Sequence, residues 1–492
     1  MYSEYSEKGK NWHNQAHKNN YFRIFQKREG DNSSFLKRAF KSLYQYPPRL
    51  FFFSFLVVIV VGTILLSLRV ATEGPEPISI IDALFTSTSA TCVTGLIVVD
   101  TGAKFSAFGE LVILLQIQMG GLGIMTLSTF FIFLVSGRLS FTSRVILTDT
   151  LGKNTSADLN RLLKVVFLFT IIIEMVGAAV LTLRFMNDFS LPRAMYLGIF
   201  HAVSAFCNSG FSLFSDSLVA YQADTVINMT IMALIILGGL GFIVMLDIYN
   251  NSRSLIGKGK AKFSLHSRIV LRTTTYLILI GAFLYFLLEY SNELKGMPVH
   301  GKIFTSFFQS VTTRTAGFNT VPVGNLTSTT LFIFILLMII GASPGSCGGG
   351  IKTTTFAIIL NSLFNRFLMR EDVNISKRRI PKATVHRMIS IVFFSFSIII
   401  IFTVLLLITE IPQVPHNQKG GLFLDILFEV ASAFGTVGLS TGITPTLSYA
   451  GKIIVTLLMF IGRLGPLTIA LAVNEKRNLP TYKYVQEDVM VG

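Results

Sequence analysis

The chain has 492 residues, 51% of them hydrophobic and only 14% charged, with a mean hydropathy of +0.62. That is too apolar and too poor in charge for an ordinary soluble protein, and it places the chain in a bilayer. The net charge of +16 does not argue for nucleic acid, because no aromatic-interleaved basic face accompanies it; orientation by positive charge and contact with anionic lipid account for it.

The chain opens on a polar stretch, 1–49, with ten basic residues from Lys8 to Arg49 and without the short basic start and cleavage site of a signal peptide. Residues 1–46 of it read as a cytosolic tail. Apolar stretches suited to about 30 Å of hydrocarbon follow near 50–69, 107–136, 162–186, 226–249, 269–290, 329–341, 388–411 and 450–473. Eight spans put both termini on one side, and counting Lys and Arg by side leaves thirty of 42 with the termini, the cytosolic side. The expected organisation is four repeats, 47–161, 162–268, 269–387 and 388–475, followed by a cytosolic C-terminal tail, 476–492.

Between the two spans of each repeat lies a short semi-polar segment with a phenylalanine ten residues before a glycine: Phe85 and Gly95, Phe200 and Gly210, Phe307 and Gly317, Phe428 and Gly438. Six residues before the glycine stand Ser89, Ser204, Val311 and Ser432; after it stand Leu96, Phe211, Phe318 and Leu439. The glycines are 115, 107 and 121 residues apart, too far for a solenoid repeat and suited to two membrane helices and a loop. Such a segment is too short to span, so it must enter as a buried helix and turn back. The candidate filter strands are Thr91-Cys92-Val93-Thr94-Gly95, Cys207-Asn208-Ser209-Gly210, Arg314-Thr315-Ala316-Gly317 and Gly435-Thr436-Val437-Gly438. Small, hydroxyl-rich and ended by glycine, they suit backbone whose carbonyls replace water around a monovalent cation. With one glycine per strand, fewer well-formed cation sites are expected than in a filter with two. Asp82 and Asp425 lie thirteen residues before their glycines, where a carboxylate complements a helix N-terminus. Arg314 is expected to point behind the filter, toward Glu429 or a pore-helix carbonyl.

The second spans align at Gly120-Gly121-Leu122-Gly123, Gly238-Gly239-Leu240-Gly241, Gly341-Ala342-Ser343-Pro344-Gly345 and Gly462-Arg463-Leu464-Gly465. Small residues here let helices approach closely. Arg463 needs another explanation, since arginine at mid-membrane costs about 2.5 to 3.5 kcal/mol on insertion scales; it is expected to form an electrostatic part of a barrier below the filter. In the third repeat Gly341, Ser343, Pro344, Gly345, Ser346, Gly348, Gly349 and Gly350 cannot remain helical. The expectation is an intramembrane loop, 341–352, acting as a movable gate, with Lys352 at the cytosolic end of the broken helix. Gly345 and Gly350 have phosphate-loop spacing, but Ile351 stands where that motif needs lysine.

Cys92, Cys207 and Cys347 show no metal spacing or disulfide framework and read as small residues. Glu174 and Asp247 are intramembrane acids, open to proton or sodium coupling but read here as structural partners. The fold class is all-α integral membrane: four pseudo-symmetric repeats of helix, re-entrant pore loop, helix around one central ion pore. Two alternatives stay open, a coupled secondary transporter of another small solute, which would use broken helices at the midplane, and a polytopic membrane enzyme, which would need an acid, histidine or metal cluster.

Through the four glycines, the 341–352 loop and Arg463, residues 45–475 resemble the Trk/Ktr/HKT superfamily of potassium transporters, most closely its Ktr-type membrane subunits. The resemblance implies a non-enzymatic, multi-pass protein of the cell membrane that takes up potassium through a gated selectivity filter. Glycine in all four strands goes with potassium preference in that family. It also implies a homodimer, a cytosolic ring of nucleotide-binding regulatory subunits, sodium as activator or co-ion, and no covalent cofactor.

Overall fold

The structure is a computed structural model that describes residues 47–74, 76–123, 156–256, 263–370, 372–410 and 421–465. The N-terminal tail, the C-terminal tail and the basic loop after the first repeat's second helix lie outside the described residues. The described chain is almost wholly helical, with one two-stranded hairpin, β1 (Asn374–Ile375) and β2 (Arg378–Arg379).

Each repeat supplies a first helix, a short pore helix and a second helix. They are α1 (Pro47–Leu66), α2 (Ile80–Thr91) and α3 (Ala107–Leu122); α4 (Ser156–Phe185), α5 (Leu191–Phe206) and α6 (Thr225–Leu240), continued as α7 (Phe242–Ile256). The third repeat has α8 (Leu265–Glu289), α9 (Val299–Thr312) and α10 (Ser328–Ile339), continued as α11 (Thr353–Phe367); the fourth has α12 (Lys382–Glu410), α13 (Leu422–Gly435) and α14 (Tyr449–Leu464). Within a repeat the first helix packs on its own pore helix. The second helix packs on the pore helix of the next repeat, α3 on α5, α6 on α9, α10 on α13 and α14 on α2. That last contact closes the ring, and four pore helices surround one axis.

The second helices start alike because each has an N-cap whose side chain accepts from a first-turn N–H: Ser106, Asp224, Thr327 and Ser448. Two of these caps are docked by an acid at the end of the first helix. Glu289 Oε1 accepts from Thr327 N (3.0 Å), Thr327 Oγ1 (2.9 Å) and Thr330 Oγ1 (2.5 Å). Glu410 accepts from Ser448 N (2.9 Å) and Ser448 Oγ (2.6 Å). The second repeat uses the opposite polarity, Arg184 Nε to Asp224 Oδ2 at 2.5 Å.

Three of the second helices also end alike, while the third repeat's α10 has Ile340 as its C-cap. Gly123, Gly241 and Gly465 are C-caps with φ of +78°, +87° and +80°, where an L side chain would be strained. Breakage is not limited to the third repeat, where the sequence predicts it: α6 and α7 meet at 101° across Gly241. Breakage also shortens the apolar helices. By length and hydropathy alone Val166–Phe185, Leu265–Glu289 and Lys382–Glu410 can cross a membrane, with the bent α6–α7 pair as a fourth.

Candidate functional site

The aligned glycines of the second helices face the ends of the pore helices. A methyl on Gly120, Gly238 or Gly462 would run into the carbonyl oxygen of Thr91, Phe206 or Phe434 respectively. Close approach, the expected role of these glycines, is what brings second helix and pore helix together.

From the pore-helix ends the four strands turn toward the axis. Gly95, Gly210, Gly317 and Gly438 have φ of +90°, +73°, +79° and +92°. A Cβ on each would strike the carbonyl of the residue before the glycine in an adjacent strand: Gly95 against Ser209, Gly210 against Ala316 (2.8 Å), Gly317 against Val437 (2.6 Å) and Gly438 against Thr94. Glycines and carbonyls thus alternate around one closed ring. A ring of carbonyl dipoles can substitute for a cation's hydration shell.

Two residues before each glycine the backbone is left-handed again, at Val93 (+57°), Asn208 (+58°), Thr315 (+69°) and Thr436 (+50°). For β-branched residues this is a costly conformation. Each strand therefore has two left-handed positions, only one occupied by glycine, and the single-glycine count underestimates how far the backbone is turned. With its amide oriented so that both ends are satisfied, Asn208 donates from its nitrogen to the Ala205 and Ile235 carbonyls, 3.1 Å each, and its oxygen accepts from Thr315 Oγ1 at 3.3 Å.

Pore-helix hydroxyls support the strands from behind. Ser89 Oγ donates to Leu96 O (2.7 Å) and accepts from Gly95 N (3.0 Å); Ser204 Oγ donates to Phe211 O (2.7 Å); Ser432 Oγ accepts from Gly438 N (3.1 Å). In the third repeat Thr312 Oγ1 does this, on Phe318 O at 2.5 Å. Counting back from the glycine pairs Phe307 and Val311 with the other repeats, but Phe308 is the fully buried ring and Thr312 the bracing hydroxyl. The pore helix is shifted by one residue, and the turn after it is one residue shorter: Ala316 N bonds Thr312 O, against Thr94 to Ser89, Ser209 to Ser204 and Val437 to Ser432.

Arg314 is buried at 7% exposure, and its Nη1 has no hydrogen-bond partner among the described residues. The expected pairing with Glu429 is not formed; Glu429 Oε1 accepts from Ser440 and Thr444 hydroxyls instead. Asp82 and Asp425 sit in the first turns of α2 and α13. Asp82 accepts from Ser79 Oγ (2.8 Å) and forms an ion pair with Lys452 of α14 at 2.7 Å, a link across the ring closure that composition did not reveal.

Residues 340–352 run as a non-helical loop beneath the ring. Gly349 N donates to Thr436 Oγ1 (2.9 Å), and a methyl on Gly348 would strike Thr315 Oγ1. On its other side the loop is sewn to the second repeat, through Ser343 N to Gly239 O (3.1 Å), Cys347 N to Gly238 O (3.3 Å) and Phe242 N to Gly345 O (3.0 Å). Ser346 Oγ bonds Ser343 O at 2.6 Å. Arg463, in the last turn of α14, donates from Nη1 to Cys347 O and from Nη2 to Gly120 O, joining the loop to the first repeat. Lys352 does not mark the cytosolic end of a helix: it precedes α11, and its Nζ reaches back to Gly348 O at 2.6 Å.

The three cysteines are buried and free of disulfides. Glu174 accepts from Gln118 Nε2 at 3.2 Å, and Asp247 from Ser264 Oγ (2.6 Å) and Ser267 Oγ (2.5 Å). Among the described residues no three His, Cys, Asp or Glu side chains gather as metal ligands; the oxygen atoms set against the ring glycines are backbone carbonyls.

Residues 49–485 match the TrkH family, described as cation transport protein. The chain is 39% identical over 450 residues to the Ktr system potassium uptake protein B of Bacillus subtilis, covering 91% of this chain and 97% of that protein. It is 37% identical to the potassium/sodium uptake protein NtpJ of Enterococcus hirae, with 91% and 97% covered. The crystal structure of the potassium transporter TrkH from Vibrio parahaemolyticus superposes with a TM-score of 0.66 at 18% identity, covering 85% of this chain and 84% of that one.

Proposed function

The chain belongs to the TrkH family of cation transport proteins, and from that footing we propose that it takes up potassium across the cell membrane as the translocating subunit of a Ktr-type system. The carrying observation is the closed ring of four left-handed glycines, each set against a neighbouring strand's carbonyl. Names of relatives that specify potassium uptake, at 36 to 39% identity over nearly the whole chain, support the same substrate.

In this reading the filter is formed by the strands ending at Gly95, Gly210, Gly317 and Gly438. The 341–352 loop is the gate and Arg463 with Lys352 its latch. The repeat boundaries 47–161, 162–268, 269–387 and 388–475 belong to the same proposal. The excess of basic residues on the side of the termini supports a cytosolic placement of both ends. The family resemblance supports a homodimer and a cytosolic ring of nucleotide-binding regulatory subunits, and the potassium/sodium relative supports sodium as activator or co-ion.

The test is rubidium or potassium uptake into liposomes holding the purified protein, at fixed membrane potential, with and without sodium. Potassium-selective uptake weakened or opened to sodium by Gly95→Ser and Gly317→Ser is the expected result. Wild-type protein that moves no monovalent cation, even after deletion of Ser346 to Gly349, would refute the reading.

A further inference from the structure

Directly after the buried phenylalanine of each pore helix stands a polar residue: Thr86, His201, Gln309 and Glu429. His201, Gln309 and Glu429 are wholly buried, at 0% exposure, and such burial is costly unless the group is hydrogen-bonded. In three repeats its partner lies on the strand just outside the filter glycine. His201 Nε2 meets Ser212 Oγ at 3.0 Å, and Gln309 Nε2 donates to Thr320 Oγ1 at 3.3 Å. Glu429 Oε1 accepts from Ser440 Oγ and, at 2.6 Å, from Thr444 Oγ1. Ser212 and Ser440 are equivalent, each two residues past its glycine and each accepting from an N–H two residues on, Phe214 (3.0 Å) and Gly442 (2.9 Å). The first repeat departs: Ile97 occupies that place, and Thr86 Oγ1 has no partner among the described residues.

Three different side chains, an imidazole, an amide and a carboxylate, thus perform one act at one place. What they share is the position, not the chemistry. Behind the filter each strand is held by a pore-helix hydroxyl; beyond the glycine three of the four are held by this second bond. We propose that His201, Gln309 and Glu429 are positioning residues that fix the outer ends of the filter strands and so sharpen discrimination of potassium from sodium. The inference rests on reading the ring as a potassium filter. A strand fixed on both sides of its glycine cannot relax inward around the smaller ion; a strand fixed on one side can.

The test compares potassium-to-sodium selectivity in reconstituted liposomes for Glu429→Ala, Ser440→Ala, the double variant and Glu429→Gln. Loss of a buried hydrogen bond is expected to lower the ratio up to about tenfold in each single variant. The double variant should be no worse than Glu429→Ala, which already removes the Ser440 contact together with the Thr444 one. Glu429→Gln should retain selectivity, because its amide oxygen still accepts from both hydroxyls. Should Glu429→Ala not fold, Ser440→Ala breaks the bond from the more accessible side. A lower uptake rate with an unchanged ratio would show a merely structural role and overturn the assignment; so would equal loss in Glu429→Gln and Glu429→Ala, which would point to charge. Wild-type protein that moves no potassium would refute the parent reading and this role with it.

Discussion

Arg463 offers the sharpest separation of two accounts of the proposed gate. As a free charge below the filter it would repel the ion; as a latch it would act through the bonds to Cys347 O and Gly120 O. Only the Cys347 bond is made to the loop; a bond from a charged donor contributes about 1.5 to 3 kcal/mol, and the Gly120 bond anchors the same guanidinium to α3. If the open loop loses the Cys347 bond, removing it shifts the open-to-closed ratio about tenfold at the low end, at tenfold per 1.4 kcal/mol. Arg463→Lys separates the accounts, because a single ammonium keeps the charge but cannot reach two carbonyls on opposite sides as the forked guanidinium does. In the uptake assay Arg463→Gln and Arg463→Lys should both raise basal flux, and lysine should sit much nearer glutamine than wild type. Wild-type flux in Arg463→Lys with raised flux in Arg463→Gln would refute the latch and favour the charge barrier. Unchanged flux in both, in protein that remains monodisperse, would refute any gating role.

Gly317→Ala should reduce potassium-to-sodium selectivity: at φ +79° a side chain costs about 1 to 2 kcal/mol, and its methyl would stand 2.6 Å from Val437 O and 3.0 Å from Gly210 Cα, so two strands must move. Rubidium uptake competed by sodium reads this out, and unaltered competition would count against the ring. Lys452→Met should lower the thermal midpoint of the solubilised protein by leaving Asp82 unpaired; with the two side chains 11% and 17% exposed the loss is about 2 kcal/mol, less than the ~3 to 5 of a fully buried pair. The double variant Asp82→Asn with Lys452→Met should recover part of it, and no recovery would mean the pair itself contributes little. Glu289→Leu strands the Thr327 N–H and Asn292 amide that the carboxylate accepts from and should cost about 2 to 3 kcal/mol; an unchanged unfolding midpoint would remove the idea that this acid docks the third repeat's second helix.

The repeats were legible because a membrane leaves the backbone few options. A semi-polar segment too short to span, placed between apolar stretches, has to become a buried helix and return, and four such segments ending in glycine fix the ring. Helix length was less legible. Hydropathy carries no information on where a helix breaks, and Gly123, Gly241 and Gly465 read equally well as packing glycines or as left-handed caps. In the first, second and fourth repeats the first glycine of the motif packs and the last one caps. The side-chain links between distant repeats, Asp82 with Lys452 and Arg463 with Gly120, have no sequence signal, because they depend on which second helix meets which pore helix in the closed ring.

The third repeat shows why counting from the glycine works and where it fails. The ring demands that four glycines meet, so the strands are in register at the axis whatever happens behind them. A pore helix must also bury a phenylalanine and place a hydroxyl one turn later behind the strand, and these demands belong to the helix, not the ring. In three repeats both registers coincide; in the third they differ by one residue, and Phe308 with Thr312 satisfies the helix while Gly317 satisfies the ring. The cost falls on the turn between them, where Ala316 bonds back four residues instead of five and Thr315 carries the largest positive φ of the four equivalent non-glycine positions. That same turn is the one whose Thr315 faces the 341–352 loop at Gly348 and that carries Arg314, whose Nη1 has no partner among the described residues. The strand least like the others is therefore one of the two that touch the 341–352 loop, the other being the fourth repeat's through Thr436, and if that loop gates the pore as proposed, the asymmetry of the ring lies where gating would act on it.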